Sequence, residues 1–111
     1  KKAGKRKTKM SGNIVATNHQ LGKKIGKHAK DWGLDPSDSD DRNKLQSIIE
    51  DIIDNADKVS QGNWRGQPNP CTFYEHDGNL VIVNANNEFV TVMKGGATNA
   101  RYQSAIANFG S

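Results

Sequence analysis

Apolar residues recur at helical spacing in the segment 18–32. They are Leu21, Ile25, Ala29 and Trp32. When successive residues are placed about 100° apart, these four side chains fall on one stripe, which predicts an amphipathic helix. Gly33 follows directly and is predicted to end it. Gly22 and Gly26 oppose this prediction, since a glycine inside a helix costs about 1 kcal/mol.

A second and longer apolar stripe predicts another helix over about 37–58. Its members are Leu45, Ile48, Ile49, Ile52, Ile53 and Ala56. Ser37 is the predicted N-cap, because its hydroxyl can accept a hydrogen bond from the first turn. The acidic residues that follow suit the positive end of the helix dipole. We expect the isoleucine face to be buried and the acidic face to be a solvated surface.

In the second half of the chain the apolar residues no longer follow helical spacing and instead form short runs. Short β-rich runs at 71–74, 80–83 and 88–93 are separated by Asp-Gly and Asn-rich turns, which predicts an antiparallel meander. Trp64 and Arg65 are candidates for a further edge strand, and 99–108 for a short terminal helix or a surface segment. The chain is thus predicted to be an α+β fold, with helices first and an antiparallel sheet of three to four strands after them.

Charge is distributed unevenly along these 111 residues, whose mean hydropathy is −0.82 and net charge +4. Residues 1–30 contain ten Lys or Arg and no acid, 31–58 contain nine acids and three bases, and 59–111 contain three of each. The basic start is typical of a protein with a polyanionic partner, nucleic acid first and an anionic membrane second; a solubilising tail is the alternative. We predict a basic flexible arm over 1–17 and one small domain over 18–111.

Several classes of protein are disfavoured by what the sequence lacks. Cys71 is a single cysteine and the three histidines lie far apart, so neither a disulfide nor a metal site is expected. No nucleotide or cofactor motif is present, so no cofactor is expected. No apolar run approaches the roughly 20 residues of a membrane span, so no membrane association of that kind is expected.

The first predicted helix has a polar stripe beside its apolar one. It contains Lys24, Lys27, His28 and Asp31. A histidine at the apolar boundary, near two ammonium groups and a carboxylate that can fix its tautomer, suits acid–base work on a phosphodiester. The alternative interpretation is a basic helix with an ordinary boundary histidine.

Asp31 of this polar stripe and three further residues are candidates for binding a substrate. Arg65 could place its guanidinium on a phosphate, and Trp64 could stack on an unpaired base or anchor the core. His19, near the start of the first helix, could reach the same face as the other basic groups.

Thr91 is a candidate on the last predicted strand. Ideal alternation puts Thr91 on one face with Phe89 and Met93, and Val90 with Val92 on the other. Thr91 therefore either fills space as a β-branched side chain or points its hydroxyl across the sheet at a substrate.

The order of these residues resembles a known family. Residues 21–34 read LGKKIGKHAKDWGL, which resembles the Lys-Lys…Lys-His-Ala-x-Asp-aromatic-Gly segment of the colicin D nuclease domain. The same pattern recurs in C-terminal toxin modules of bacterial contact-dependent growth inhibition and related polymorphic toxins. Blocks at 62–65, 79–83 and 88–91 resemble the family's sheet in the same order, and the resemblance spans about 18–94.

The resemblance implies a fold of the barnase–EndoU–colicin–RelE group, with N-terminal helices packed on a twisted antiparallel sheet and the active site in the cleft between. It matches His28 to the family's catalytic histidine, Lys24 and Lys27 to its lysines, and Asp31 to its nearby acid. Thr91 stands where the family has a serine hydroxyl. Family members cleave tRNA without a metal, many in the anticodon loop, and an immunity protein keeps each one inactive in the producer.

We therefore expect a metal-independent endoribonuclease that cleaves tRNA and leaves a 2′,3′-cyclic phosphate. The resemblance also implies delivery as the C-terminal part of a larger secreted or cell-surface protein, action in the target-cell cytoplasm, a cognate acidic immunity protein, and a monomer when uninhibited. One alternative is cleavage of the tRNA acceptor end with a translation factor as co-receptor. Another is a non-catalytic basic nucleic-acid-binding module.

Overall fold

The computed structural model describes residues 7–64 and 66–108. Its helices are α1 (Asn18–His28), α2 (Ser39–Asp54) and α3 (Ala100–Asn108). Its strands are β1 (Lys7–Ser11), β2 (Ile14–Thr17), β3 (Lys58–Gly62), β4 (Cys71–His76), β5 (Asn79–Val83) and β6 (Phe89–Met93). β1 and β2 form a hairpin, and the other four strands form an antiparallel sheet in the order β3-β4-β5-β6. The predicted α+β class, with helices before a sheet of four strands, is confirmed.

Helices cover both faces of this sheet. Val81 and Val83 of β5 pack in a core with α1, α2 and the hairpin, whereas Leu80 and Ile82 pack in a second core with Tyr102 of α3. These four β5 side chains are fully buried, which explains the unbroken apolar run in the sequence. None of the helices within the described ranges is long and apolar enough to cross a membrane.

The β1–β2 hairpin corrects the prediction of a flexible arm over 1–17. Ile14 is 5% exposed and Ala16 fully buried, so β2 contributes to the core that it shares with α1 and α2. The Val15 amide donates to the Asn87 carbonyl at 2.9 Å and ties the hairpin to the chain entering β6. Residues 1–6 lie outside the described part.

The first helical segment ends where the sequence predicts. α1 stops at His28, and a 3-10 segment, Ala29–Trp32, continues it to Gly33. Gly33 has φ 73° in the left-handed region, where glycine avoids the steric cost of a Cβ atom.

Arg42 of α2 contacts α1 beside its two glycines. Its Nη2 donates to the Gly22 carbonyl at 2.9 Å and its Nη1 to the Pro36 carbonyl at 2.7 Å. A Cβ built on Gly22 or Gly26 would lie 3.5 or 3.7 Å from the guanidinium nitrogens. Both are ordinary van der Waals distances, so an alanine would fit at either position, and the Arg42 hydrogen bond joins the two helices.

The boundaries of α2 differ from the prediction at both ends. The N-cap is Asp38 rather than Ser37, because the Asp38 carboxylate accepts from the Asp41 amide at 3.0 Å. The Ser37 hydroxyl instead donates to Asp35 at 2.7 Å. The helix ends at Asp54 rather than near 58.

The edge strand predicted around Trp64 and Arg65 is misplaced, because the edge strand of the sheet is β3, which ends before Trp64. β3 occupies Lys58–Gly62 and pairs with β4, and Trp64 lies in the loop that follows. The predicted terminal helix is confirmed as α3, whose Tyr102 is fully buried and whose hydroxyl donates to Glu75 at 2.8 Å.

Candidate active site

A cleft of about 270 Å³ lies between α1, β6 and the loop after β3. Helix α1 supplies four polar side chains, β6 supplies the floor, and the loop supplies the remaining wall. The lining residues are Gln20, Lys24, Lys27, His28, Trp64, Gln67, Val90, Thr91 and Met93. Three of the four predicted catalytic residues thus come from one helix and the fourth, Thr91, from the strand beside it.

The rotation of α1 is set by its apolar side. Leu21 and Ile25 are buried, so the next stripe round the helix, which contains Gln20, Lys24 and His28 at intervals of four, faces the cleft. The start of α1 is fixed to the sheet, because Gln20 Nε2 donates to the Val90 carbonyl at 2.6 Å.

His28 lies between a carboxylate and a hydroxyl. Its side chain is 16% exposed, and its Nδ1 is 3.2 Å from Asp31 Oδ2. Its Nε2 is 3.4 Å from the Thr91 hydroxyl oxygen. A carboxylate only accepts hydrogen bonds, so in the neutral imidazole Asp31 favours the proton on Nδ1 and leaves Nε2 as an acceptor. The basic nitrogen is therefore the one beside Thr91, which also lines the cleft.

A β-bulge in β6 places two consecutive side chains in the cleft. Ile82 pairs with Thr91 but the next residue of β5, Val83, pairs with Phe89, so Val90 is an extra residue in the ladder. Val90 and Thr91 consequently both line the cleft. The predicted alternation was wrong here: Thr91 and Met93 line the cleft together, while Phe89 packs in the core with α1 and α2.

Trp64 packs against the core and also lines the cleft. It is half-buried and packs edge-to-face on Phe73, with ring centroids 6.0 Å apart, and it also lines the cleft. The Gln67 amide donates to the Trp64 carbonyl at 3.1 Å. Arg65, predicted to bind phosphate, lies outside the described residues.

Two other predicted substrate-binding residues are placed differently. His19 is exposed and does not line the cleft; nine residues at about 100° each put it on the opposite side of α1 from His28. Asp31, whose side chain is 56% exposed, contacts His28 instead of lining the cleft. Its carboxylate can therefore orient the His28 ring without contacting a ligand in the cleft.

Sequence reasoning missed Gln20 and Gln67. Gln20 precedes Lys24 by four residues, so helical spacing alone could have placed it on the active stripe. Gln67 lies in a loop between two strands, and no local pattern indicates that this loop folds over α1.

The electrostatics of the cleft favour an anion. Lys24 and Lys27 are its cationic side chains among the described lining residues, and none of those residues is a carboxylate. Within 7–64 and 66–108, no group of three or more His, Cys, Asp or Glu side chains is arranged to hold a metal ion.

We compared the chain with models of known protein families and with curated protein sequences, and neither comparison gave a match. A basic imidazole nitrogen, two ammonium groups and a hydroxyl form a set that can move a proton and stabilise negative charge.

Proposed function

We propose that this domain is a metal-independent endoribonuclease toxin that cleaves tRNA. The observation that carries the proposal is the position of His28, whose Nε2 lies at Thr91 in a cleft that also contains Lys24 and Lys27. The resemblance of residues 21–34 to the colicin D nuclease domain independently supports a catalytic role for the same histidine and lysines.

In this mechanism His28 Nε2 removes the proton from a ribose 2′-hydroxyl. The freed oxygen attacks the adjacent phosphorus, the bond to the 5′-oxygen breaks, and the products are a 2′,3′-cyclic phosphate and a 5′-hydroxyl. Lys24 and Lys27 stabilise the charge that develops on the phosphoryl oxygens. Either lysine can also give a proton to the leaving 5′-oxygen.

Thr91 and Trp64 position the substrate in this scheme. The Thr91 hydroxyl donates to Nε2 in the free protein, and its 3.4 Å separation makes this contact easy to replace by the substrate 2′-hydroxyl. Trp64 offers an aromatic wall to an unpaired base. Because bases in single-stranded loops are free to stack on aromatic side chains, the anticodon loop is the favoured part of tRNA.

The proposal requires an inhibitor in the producing cell. The simplest is an acidic immunity protein that covers Lys24 and Lys27, since complementary charge gives fast, salt-sensitive association. Alanine at both lysines should then lower the affinity and its salt dependence. Unchanged binding would show that the inhibitor docks elsewhere.

The test is to incubate the domain with total tRNA in EDTA and to map the fragment ends. We expect cleavage at a defined position with 2′,3′-cyclic phosphate and 5′-hydroxyl ends. His28→Ala should abolish it, and His19→Ala, which removes an exposed histidine from the opposite side of α1, should not. Cleavage that needs added magnesium or zinc, or intact tRNA throughout, would contradict the proposal.

A further inference from the structure

Helix α1 has a third stripe of side chains, which faces away from the core. His19, Lys23 and Lys27 follow one another at intervals of four residues, and all three are exposed. At about 100° per residue they lie on the side of the helix opposite the buried Leu21 and Ile25. We call these three residues the outer stripe. The proposed mechanism uses only Lys27 of them.

The outer stripe meets the cleft at Lys27. This lysine is exposed and also lines the cleft, so one ligand can contact both surfaces. A helix rises 1.5 Å per residue, so the stripe extends about 12 Å from Lys27 to His19. Each strand of a nucleic-acid duplex has a phosphate about every 3 Å along the axis. The stripe therefore has the length of a short run of phosphates.

The charges around α1 favour one direction for a polyanion. The helix itself contains no acidic residue. Beyond its end, hydrogen bonds from Ser37 and the charge of Lys30 hold the pKa of Asp35 below its usual value, so Lys30 lies near a carboxylate. The start of α1, near His19, is the positive end of the helix dipole. A polyanion that leaves the cleft at Lys27 is therefore attracted towards His19.

The side chains of the outer stripe suit a phosphate backbone better than unpaired bases. A lysine binds phosphate as a point charge and offers no face on which a base can stack. Trp64, which offers such a face, lines the cleft instead. A duplex turns its bases inward and presents phosphates and sugars, the groups that two lysines and a histidine can bind. The three side chains include no apolar group that could enter a lipid surface.

We infer that the outer stripe binds the phosphate backbone of a double-stranded stem whose loop enters the cleft; this inference rests on the proposed function. An unpaired nucleotide of the loop reaches His28, and the paired stem lies along α1 from Lys27 towards His19. The domain thus selects RNA in which a loop adjoins a duplex, and a linear strand is a poorer ligand.

RNA binding in the His28→Ala variant, which prevents cleavage, tests the inference. The probes are an RNA hairpin with a loop of uridines and a linear oligouridine of equal length, so that both carry the same number of phosphates. Fluorescence anisotropy at several salt concentrations should show tighter binding of the hairpin. Adding Lys23→Ala should reduce the slope of log affinity against log salt concentration by about 0.9 for the hairpin, the worth of one phosphate contact in a duplex. The slope for the oligouridine should not change.

Two control variants separate the position of the charge from its loss. Lys23→Arg keeps the positive charge on the outer stripe and should keep the hairpin slope. Lys58→Ala removes one charge from an exposed lysine of β3 that does not line the cleft, and it should leave both slopes unchanged.

Equal affinity for the two RNAs overturns the inference, as does an unchanged hairpin slope in Lys23→Ala or an equal reduction of both slopes. Binding to vesicles of anionic lipid that depends on Lys23, with an unchanged hairpin slope, would assign the stripe to a membrane surface and also overturn it. A hairpin preference that depends on Lys23 in a protein that leaves tRNA intact would support the stem contact and contradict the nuclease proposal. Cleavage of tRNA without that preference would do the reverse, so the two failures are distinguishable.

Discussion

Asp31→Asn tests the role assigned to the carboxylate beside His28. Asparagine keeps the size of the side chain but removes the charge that stabilises an imidazolium 3.2 Å away. At that N–O separation the Coulomb energy is about 5 kcal/mol for an effective dielectric constant near 20. Asp31 is 56% exposed, so solvent screening reduces this toward the value of exposed ion pairs, and we expect a loss of about 1–2 kcal/mol.

The expected result is a kcat for tRNA cleavage roughly 5- to 30-fold lower, the factor that corresponds to 1–2 kcal/mol. KM should stay the same or fall, because a negative charge near the phosphate site is lost. Asp51→Asn is the control: it makes the same charge change on an exposed residue of α2, which does not line the cleft. A kcat within twofold of the wild type, or an equal loss in Asp51→Asn, would refute the positioning role.

Three further predictions concern stability, binding and reactivity. Gly26→Ala should raise the free energy of unfolding by about 0.5–1 kcal/mol in urea denaturation, because alanine favours the helix more than glycine does. Activity should be kept, because the new Cβ lies at ordinary contact distance from Arg42. A loss of stability would mean that the guanidinium cannot accommodate the Cβ. Lys27→Ala should reduce the slope of log affinity against log salt concentration by about 0.7 for a single-stranded RNA, whereas Lys44→Ala on α2 should leave that slope unchanged. Equal slopes in Lys27→Ala and the wild type would show that the phosphate binds elsewhere. Burial raises the pKa of the Cys71 thiol, so mass spectrometry should show no alkylation by iodoacetamide before unfolding; rapid alkylation of the native protein would contradict its position in the core.

Sequence patterns predicted the parts of the site that depend on one helix. The spacing of Leu21 and Ile25 fixes how α1 rotates against the core, and that rotation carries Lys24 and His28 to the cleft. The same spacing argues against His19, which lies nine residues from His28. Periodicity is sufficient to place these side chains because the apolar stripe of α1 must pack against the core, and that packing fixes the direction of the polar stripe.

Other features depend on neighbours that are distant in the chain. The run Phe89–Met93 fits an ideal strand, and only its pairing with β5 reveals the bulge at Val90. The basic composition of 7–17 hides the alternation of Ile14 and Ala16 that buries β2. The contact between α1 and α2 is likewise made by Arg42, which donates to the Gly22 carbonyl 20 residues away in the chain.

The most direct test of the central claim compares cleavage and binding in His28→Ala. If His28 moves the proton, single-turnover cleavage of tRNA in EDTA should fall by about 10²- to 10⁴-fold, the usual worth of a general acid or base. The affinity for tRNA should stay within about twofold, because Lys24 and Lys27 remain, and thermal unfolding should show an intact fold. A variant that still cleaves at more than about a hundredth of the wild-type rate would contradict the claim that His28 is the acid–base group of this cleft.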